Sequence, residues 1–187
     1  MNYVKIKITE NMKSFAKNQT KLLAEALKGK NLHSRFNTDW EQNNITGYLG
    51  ECIFAEWIRV NEIGAEWQYG KLGEADDYDF LISGKKWDVK TNLRKLPIEN
   101  ISDTYGLCVH KDQVGLHADY YVWVLIHGID PLKAEFGYIM GYLPANKIKE
   151  AELYTTIPKK NVQAYRVKVN DAFPMSIAER TMRENIR

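Results

Sequence analysis

Two cysteines and four histidines are all that this chain of 187 residues offers to soft metals or disulfides. Cys52 and Cys108 stand far apart, and His33, His110, His117 and His127 show no zinc-like spacing, so nothing points to a structural zinc site or a disulfide framework. Cys52 reads as helix core and Cys108 as a buried or loop thiol, which suits a reducing compartment. No apolar run reaches the roughly 20 residues of a membrane span. The opening Met1-Asn2-Tyr3-Val4-Lys5-Ile6-Lys7 lacks a secretory apolar stretch, so the expected setting is cytoplasmic with no membrane partner. Internal repeats, low-complexity tracts and linkers are also missing. The expectation is one domain over residues 1–187, with a core at about 45–143 and basic extensions at both ends.

Net charge is scarce too, at +2, which is unpromising for a nucleic-acid binder until its distribution is considered. Residues 1–38 hold eight Lys and Arg against two acids, and residues 159–187 hold seven against three. The middle, 39–158, holds eleven against nineteen, so an acidic centre lies between basic ends. Such a layout fits a divalent-metal site framed by phosphate-contacting arms.

Turning to what is present, Ile45, Tyr48, Leu49, Cys52, Ile53, Trp57 and Val60 recur at helical spacing and predict an amphipathic helix from about Ile45 to Val60. Glu51 lies off its apolar face, one turn after Gly47 and directly after Gly50. Glycine in a helix costs roughly 1 kcal/mol against alanine, so two of them beside one acid suggest close approach of another backbone or a ligand. Glu56 falls nearer the apolar stripe and reads as a boundary residue.

Further on, Tyr78, Phe80 and Ile82 alternate with Asp79 and Leu81, while Trp87 and Val89 alternate with Lys86, Asp88 and Lys90. This is the period-two pattern of a half-buried hairpin, with Ser83-Gly84 as the turn. A two-residue loop pairs Ile82 with Lys85 and sets Asp79 opposite Asp88; a four-residue loop sets Asp79 opposite Lys90. Either leaves Asp79, Asp88 and Lys90 on one face. Directly opposed residues have Cβ atoms roughly 4.5–5.5 Å apart, and like charges so placed repel. Facing carboxylates therefore call for a cation, and oxygen ligands of this kind suit Mg²⁺. The plainer alternative is a solvated sheet face in a structural or interaction protein.

Gly47-Tyr48-Leu49-Gly50-Glu51, Asp79 and Asp88-Val89-Lys90 together resemble the PD-(D/E)XK nuclease superfamily, in which a helical Glu precedes a hairpin carrying Asp and then Asp/Glu-X-Lys. The motif match covers residues 45–91 and extends by pattern to about Leu143. Tyr78 stands where the superfamily pattern has proline. The resemblance implies an α/β (α+β) fold with a central mixed β-sheet flanked by helices, a restriction-endonuclease-like core. It implies Glu51, Asp79, Asp88 and Lys90 as catalytic residues, the three acids as metal ligands, and Mg²⁺ as cofactor with Mn²⁺ as a substitute. The implied reaction is endonucleolytic hydrolysis of a nucleic-acid phosphodiester, with DNA as the expected substrate and 5′-phosphate and 3′-hydroxyl products. Metal at the carboxylates would lower the pKa of a bound water, and Lys90, about 6.6 Å along the strand from Asp88, would orient that water or stabilise developing charge. Double-strand cutting by so small a domain implies a homodimer. The alternative within the same family is an inactive nuclease fold acting as a nucleic-acid-binding or inhibitory module.

Elsewhere, Phe15 to about Lys28 predicts a helix with Gly29 beyond its end, and 31–43 a loop. Val4 to Ile8 alternates as a short strand or extended lead-in. Asn92 to His117 reads as an irregular excursion, from which Asn92, Arg94 and Lys95, and more weakly Lys111, would contact a nucleic-acid backbone. Tyr120–His127 is an apolar run expected to be a strand buried on both faces, with Tyr120, Tyr121 and Trp123 in the core. Phe136–Leu143 predicts another strand, Pro144–Glu150 a short helix, Gln163–Val169 a last strand, and Ser176–Asn185 a helix capped by Ser176.

Overall fold

The computed structural model describes residues 2–28, 40–69, 78–102, 105–115, 117–157 and 162–184. Strand β1 (Val4–Lys7) alternates inward Val4 and Ile6 with exposed lysines. Helix α1 (Glu10–Ala26) begins earlier than its apolar stripe, because Thr9 caps it. The Thr9 hydroxyl accepts the Met12 N–H at 3.3 Å, and the Thr9 N–H reaches the Met12 thioether at 3.5 Å. Gly29 lies outside the described residues, as does most of the expected loop.

Helix α2 (Trp40–Val60) also starts earlier than predicted, taking in residues 40–43, and buries Ile45, Leu49, Ile53, Phe54 and Trp57. It stops in a tight reversal. Ile63 N–H bonds to Ile58 C=O at 3.0 Å and Glu62 N–H to Arg59 C=O at 3.1 Å, with Glu62 in the left-handed region at φ 53°.

Strands β2 (Glu66–Trp67), β3 (Phe80–Ile82) and β4 (Lys85–Arg94) follow. With β6 (Tyr120–His127) and β7 (Phe136–Pro144) they build one mixed sheet in the order β1-β7-β6-β4-β3-β2, in which the β4–β6 pair is parallel and the others antiparallel. The protein is thus α+β, a central mixed sheet flanked by helices. β6 is central, and its run is apolar because both faces are covered. Val122, Val124 and Ile126 meet Leu49, Ile53 and Phe54 on the helical side, while Tyr121, Trp123 and Leu125 face the other way. Helix α3 (Ala145–Ile148) follows Pro144 as expected, and α4 (Met175–Glu184) sends Met175, Ala178 and Met182 into the helical-side core. Ser176 lies within the first turn of α4 and is not its cap.

The excursion expected over Asn92–His117 is corrected. Asn92 and Arg94 belong to β4, which runs on because β6 offers it a parallel partner as far as His127. The crossover that parallel pairing demands contains two 3₁₀ turns, Ile98–Asn100 and Lys111–Gln113, and strand β5 (Gly106–His110). β5 joins a second sheet with β8 (Glu152–Ile157) and β9 (Val162–Lys168), which covers the face opposite the helices. β8 is a strand that no alternation in the sequence predicts. Among the described residues no helix is long and apolar enough to cross a membrane.

Candidate active site

The hairpin takes the two-residue loop. Ser83 and Gly84 have φ of 51° and 72°, the double positive φ of a type I′ turn, and Ile82 pairs with Lys85. The Ser83 hydroxyl ties the turn to α4 by donating to Met182 C=O at 2.7 Å. Counting outward, Phe80 pairs with Trp87, and there the ladder stops. An unbroken ladder would set Asp79 against Asp88 and give the Val89 N–H to the Tyr78 carbonyl. Instead, Asp79 gives its N–H to Trp87 C=O at 2.9 Å, and its carboxylate Oδ2 accepts the Val89 N–H at 2.6 Å. The expected rung between the two acids is therefore replaced by a side chain reaching across to β4, a departure of the kind that re-aims residues at strand ends.

Glu51 is brought to this place by its glycine neighbour. A Cβ on Gly50 would overlap the Thr91 side chain, so only glycine lets α2 lie so close to β4. Gly47 meets nothing within 4 Å, so packing of the described residues does not explain it. The Glu51 Oε2 accepts the indole N–H of Trp67 at 3.0 Å. Lys90 Nζ lies 2.8 Å from Asp88 Oδ2, both side chains largely shielded, and sits 5.8 Å from the centroid of the Tyr121 ring.

These contacts fix one oxygen of each acid: Asp79 by Val89, Asp88 by Lys90, Glu51 by Trp67. Orientation of this sort is what ligand carboxylates receive from their surroundings. Electrostatics tie the three together. Burial pushes the Asp79 carboxyl well above its ordinary value, Glu51 and then Asp88 push it further, and the Val89 N–H and Lys90 pull only partly back. One lysine does not offset three acids, and a bound cation would relieve the excess. Among the described residues, however, no three of His, Cys, Asp and Glu already stand close enough to hold a metal ion. Glu56, by contrast, is outside this group and pairs with Arg59 at 2.7 Å.

The residues expected to meet nucleic acid are dispersed along and beyond β4. Asp88, Lys90, Asn92 and Arg94 alternate along one strand and so share a face. The Arg94 guanidinium lies 4.7 Å from the centroid of the Tyr105 ring. Lys95 is exposed, and its carbonyl lies 3.2 Å from His127 Nε2. Lys111 is turned to Gln163 at 3.2 Å. Of the basic ends, β1 with Lys5 and Lys7 lies three strand spacings from β4, roughly 14 Å, and Lys5 sits over the Phe136 ring at 3.8 Å. That strand does not frame the acids.

Trp67 and Tyr121 touch the candidate site without belonging to any of the motifs that mark it. Trp67 has no local signal, since its role depends on a helix sixteen residues earlier. Tyr121 could have been found from the pairing of β4 with β6, which sets it beside Asp88. The chain matches no family model, no curated protein and no solved structure.

Proposed function

We propose that this protein is a Mg²⁺-dependent nuclease with a restriction-endonuclease-like core, hydrolysing phosphodiester bonds of nucleic acid, with DNA as the favoured substrate. The observation that supports it is that Glu51 from a helix and Asp88 and Lys90 from a strand all act electrostatically on the buried Asp79 at a strand end, with Lys90 paired to Asp88. Asp79, Asp88 and Glu51 would hold the metal, with Mn²⁺ as a substitute. Bound there, it would supply Lewis acidity toward the phosphate and a water of lowered pKa. Lys90 would carry positive charge to the phosphate once Asp88 is engaged elsewhere. Trp67 keeps Glu51 oriented, and the Val89 N–H does so for Asp79. Two unpaired cysteines suit a cytoplasmic setting, and cutting both strands of a duplex would take two copies of the chain.

One observation favours a second reading. Lys90 is already paired with Asp88, and the acids are not gathered at ligand distance, as in a nuclease fold that binds nucleic acid without cutting it. Incubation with plasmid, single-stranded DNA and RNA in Mg²⁺, Mn²⁺ or EDTA separates the two. Metal-dependent cleavage lost in Asp88→Ala and Lys90→Ala supports the nuclease. Absence of cleavage on every substrate, with nucleic-acid binding unchanged in Asp88→Ala, sinks it in favour of the binding module.

A further inference from the structure

Strand β3 accompanies β4 only from Lys85 to Trp87, whereas β6 accompanies it to Arg94. Beyond Val89 the other edge of β4 therefore has no strand partner among the described residues. Backbone groups pointing from such an edge require other partners. Val89 gives its N–H to Asp79 on that side, so by strand alternation the N–H groups of Thr91 and Leu93 point the same way.

A cleft of about 590 Å³ opens along this edge, between the first turns of α2 and the end of β5. Residues of both strand parities line it, Thr91 and Leu93 as well as Asn92 and Arg94, as expected for a cavity on a strand edge. Its volume falls within the roughly 300–1,000 Å³ typical of small-ligand sites. Among the described residues the walls hold no carboxylate. They offer the amides of Asn43 and Asn92, the imidazole of His110, the guanidinium of Arg94 and the indole of Trp40. Thr91 Oγ1 is turned into the contact with Gly50 of α2 and does not open on the cleft. Backbone N–H groups aimed from a strand edge toward a cavity call for a partner, solvent or ligand.

The chemistry of the lining narrows what that partner is. Arg94 and His110, with no facing acid among the described residues, favour an anion, the amides of Asn43 and Asn92 favour the edge of a planar heterocycle, and Trp40 supplies a stacking surface. The cleft starts at Thr91, the residue after Lys90, and Asn92 lies about 6.6 Å along the strand from Lys90. We propose that this cleft binds one unstacked nucleotide of a single-stranded nucleic-acid segment, next to the phosphate that Lys90 would meet. The proposal rests on the nuclease reading for that placement, but the binding itself does not depend on cleavage. It makes the preferred substrate a single strand or a distorted duplex in place of an intact double helix, because only unstacked bases can enter.

The test measures binding in EDTA, where no metal-dependent cleavage takes place. A labelled ten-nucleotide single strand and a blunt duplex of the same sequence are titrated by fluorescence anisotropy against the parent, Asn43→Asp, Asn92→Asp and, as control, Asn18→Asp. Unlabelled nucleoside monophosphates serve as competitors. The two cleft variants are nearly isosteric and lie on different elements, and melting temperature confirms that each folds. The expected result is single-strand binding that both cleft variants weaken at least tenfold, that Asn18→Asp, the same charge change on the exposed face of α1, does not weaken, and that the duplex matches only poorly. Equal affinity of parent and both cleft variants overturns the inference. Displacement by a monophosphate at lower concentration than by unlabelled single strand overturns the strand assignment and marks a free-nucleotide site. Loss of cleavage with cleft-dependent binding intact would instead count against the nuclease reading alone.

Discussion

Gly50 of α2 and Thr91 of β4 are in such close contact that the helix can carry no side chain at that position. The contact joins the element bearing Glu51 to the strand bearing Asp88 and Lys90, so one missing methyl group sets the spacing of the acids. Gly50→Ala is expected to lower stability by about 1–3 kcal/mol through overpacking, against the gain in helix propensity alanine would otherwise bring. Adding Thr91→Ala should recover part of the loss, since the Thr91 hydroxyl is the nearest atom. Urea denaturation of the parent, single and double variants measures both effects. A single variant as stable as the parent would remove the packing role assigned to Gly50.

Burial makes the ionised form of Asp79 costly. Its pKa in the folded state is raised above the ordinary 3.8, chiefly by burial and then by Glu51 and Asp88. The folded state therefore holds the proton more tightly than the unfolded chain. The contribution of Asp79 to stability is most favourable below the unfolded value and is lost as pH rises toward the folded one. Asp79→Asn, which keeps an acceptor for the Val89 N–H, should be more stable than the parent in EDTA at pH 7. Its advantage should shrink as pH falls toward 5. Mg²⁺ should stabilise the parent, by about 1.4 kcal/mol at a concentration tenfold above Kd, and leave Asp79→Asn nearly unmoved. Parallel urea curves at several pH values, with and without Mg²⁺, decide it.

At the end of α2, Glu62 holds a left-handed conformation that glycine adopts without strain. It is exposed, and the turn is held by backbone bonds from Ile63 and Glu62. Glu62→Gly should raise stability by about 0.5–1 kcal/mol, the relieved strain outweighing the extra freedom of the unfolded chain. A lowered thermal midpoint would contradict this.

The two thiols should behave differently. Cys52 is buried in the helical layer, and burial first, then Glu51, pushes its pKa up to about 12. Cys108 is half-buried in β5, with its sulfur 2.9 Å from the Tyr154 hydroxyl. A thiol reagent at pH 8 should modify Cys108 in the native protein and Cys52 only after denaturation. Mass spectrometry of the modified peptides settles the order.

The sequence was most legible where local pattern and burial agree. Tyr120–His127 runs apolar because both its faces are covered, and its limits were read without error. Ser83-Gly84 announced its turn because few residues accept two consecutive positive φ angles. Legibility failed where the partner lies far along the chain. β5 and β8 are held by β9, and β8 exposes Glu152 and Leu153 together, which erases the alternation of a half-buried strand. Asn92 and Arg94 looked like loop because their pairing partners are Leu125 and His127, beyond the reach of any local window. At the candidate site, alternation put Asp79, Asp88 and Lys90 on one hairpin, and the glycines beside Glu51 pointed to the close approach that Thr91 makes. That Asp79 leaves the ladder and takes the Val89 N–H was not legible, since it depends on β3 ending early.

The place of β1 at the outer edge of the sheet has a consequence for how the chain is made. Val4 pairs with Ile139, so β1 emerges from the ribosome long before its partner strand exists. Until then, Val4 and Ile6 and the apolar stripe of α1 have no completed sheet to cover. Contacts of such long sequence separation slow folding and prolong the exposure of apolar surface. The lysines alternating with those residues in β1 carry charge on its edge during that wait, which disfavours pairing with the wrong strand.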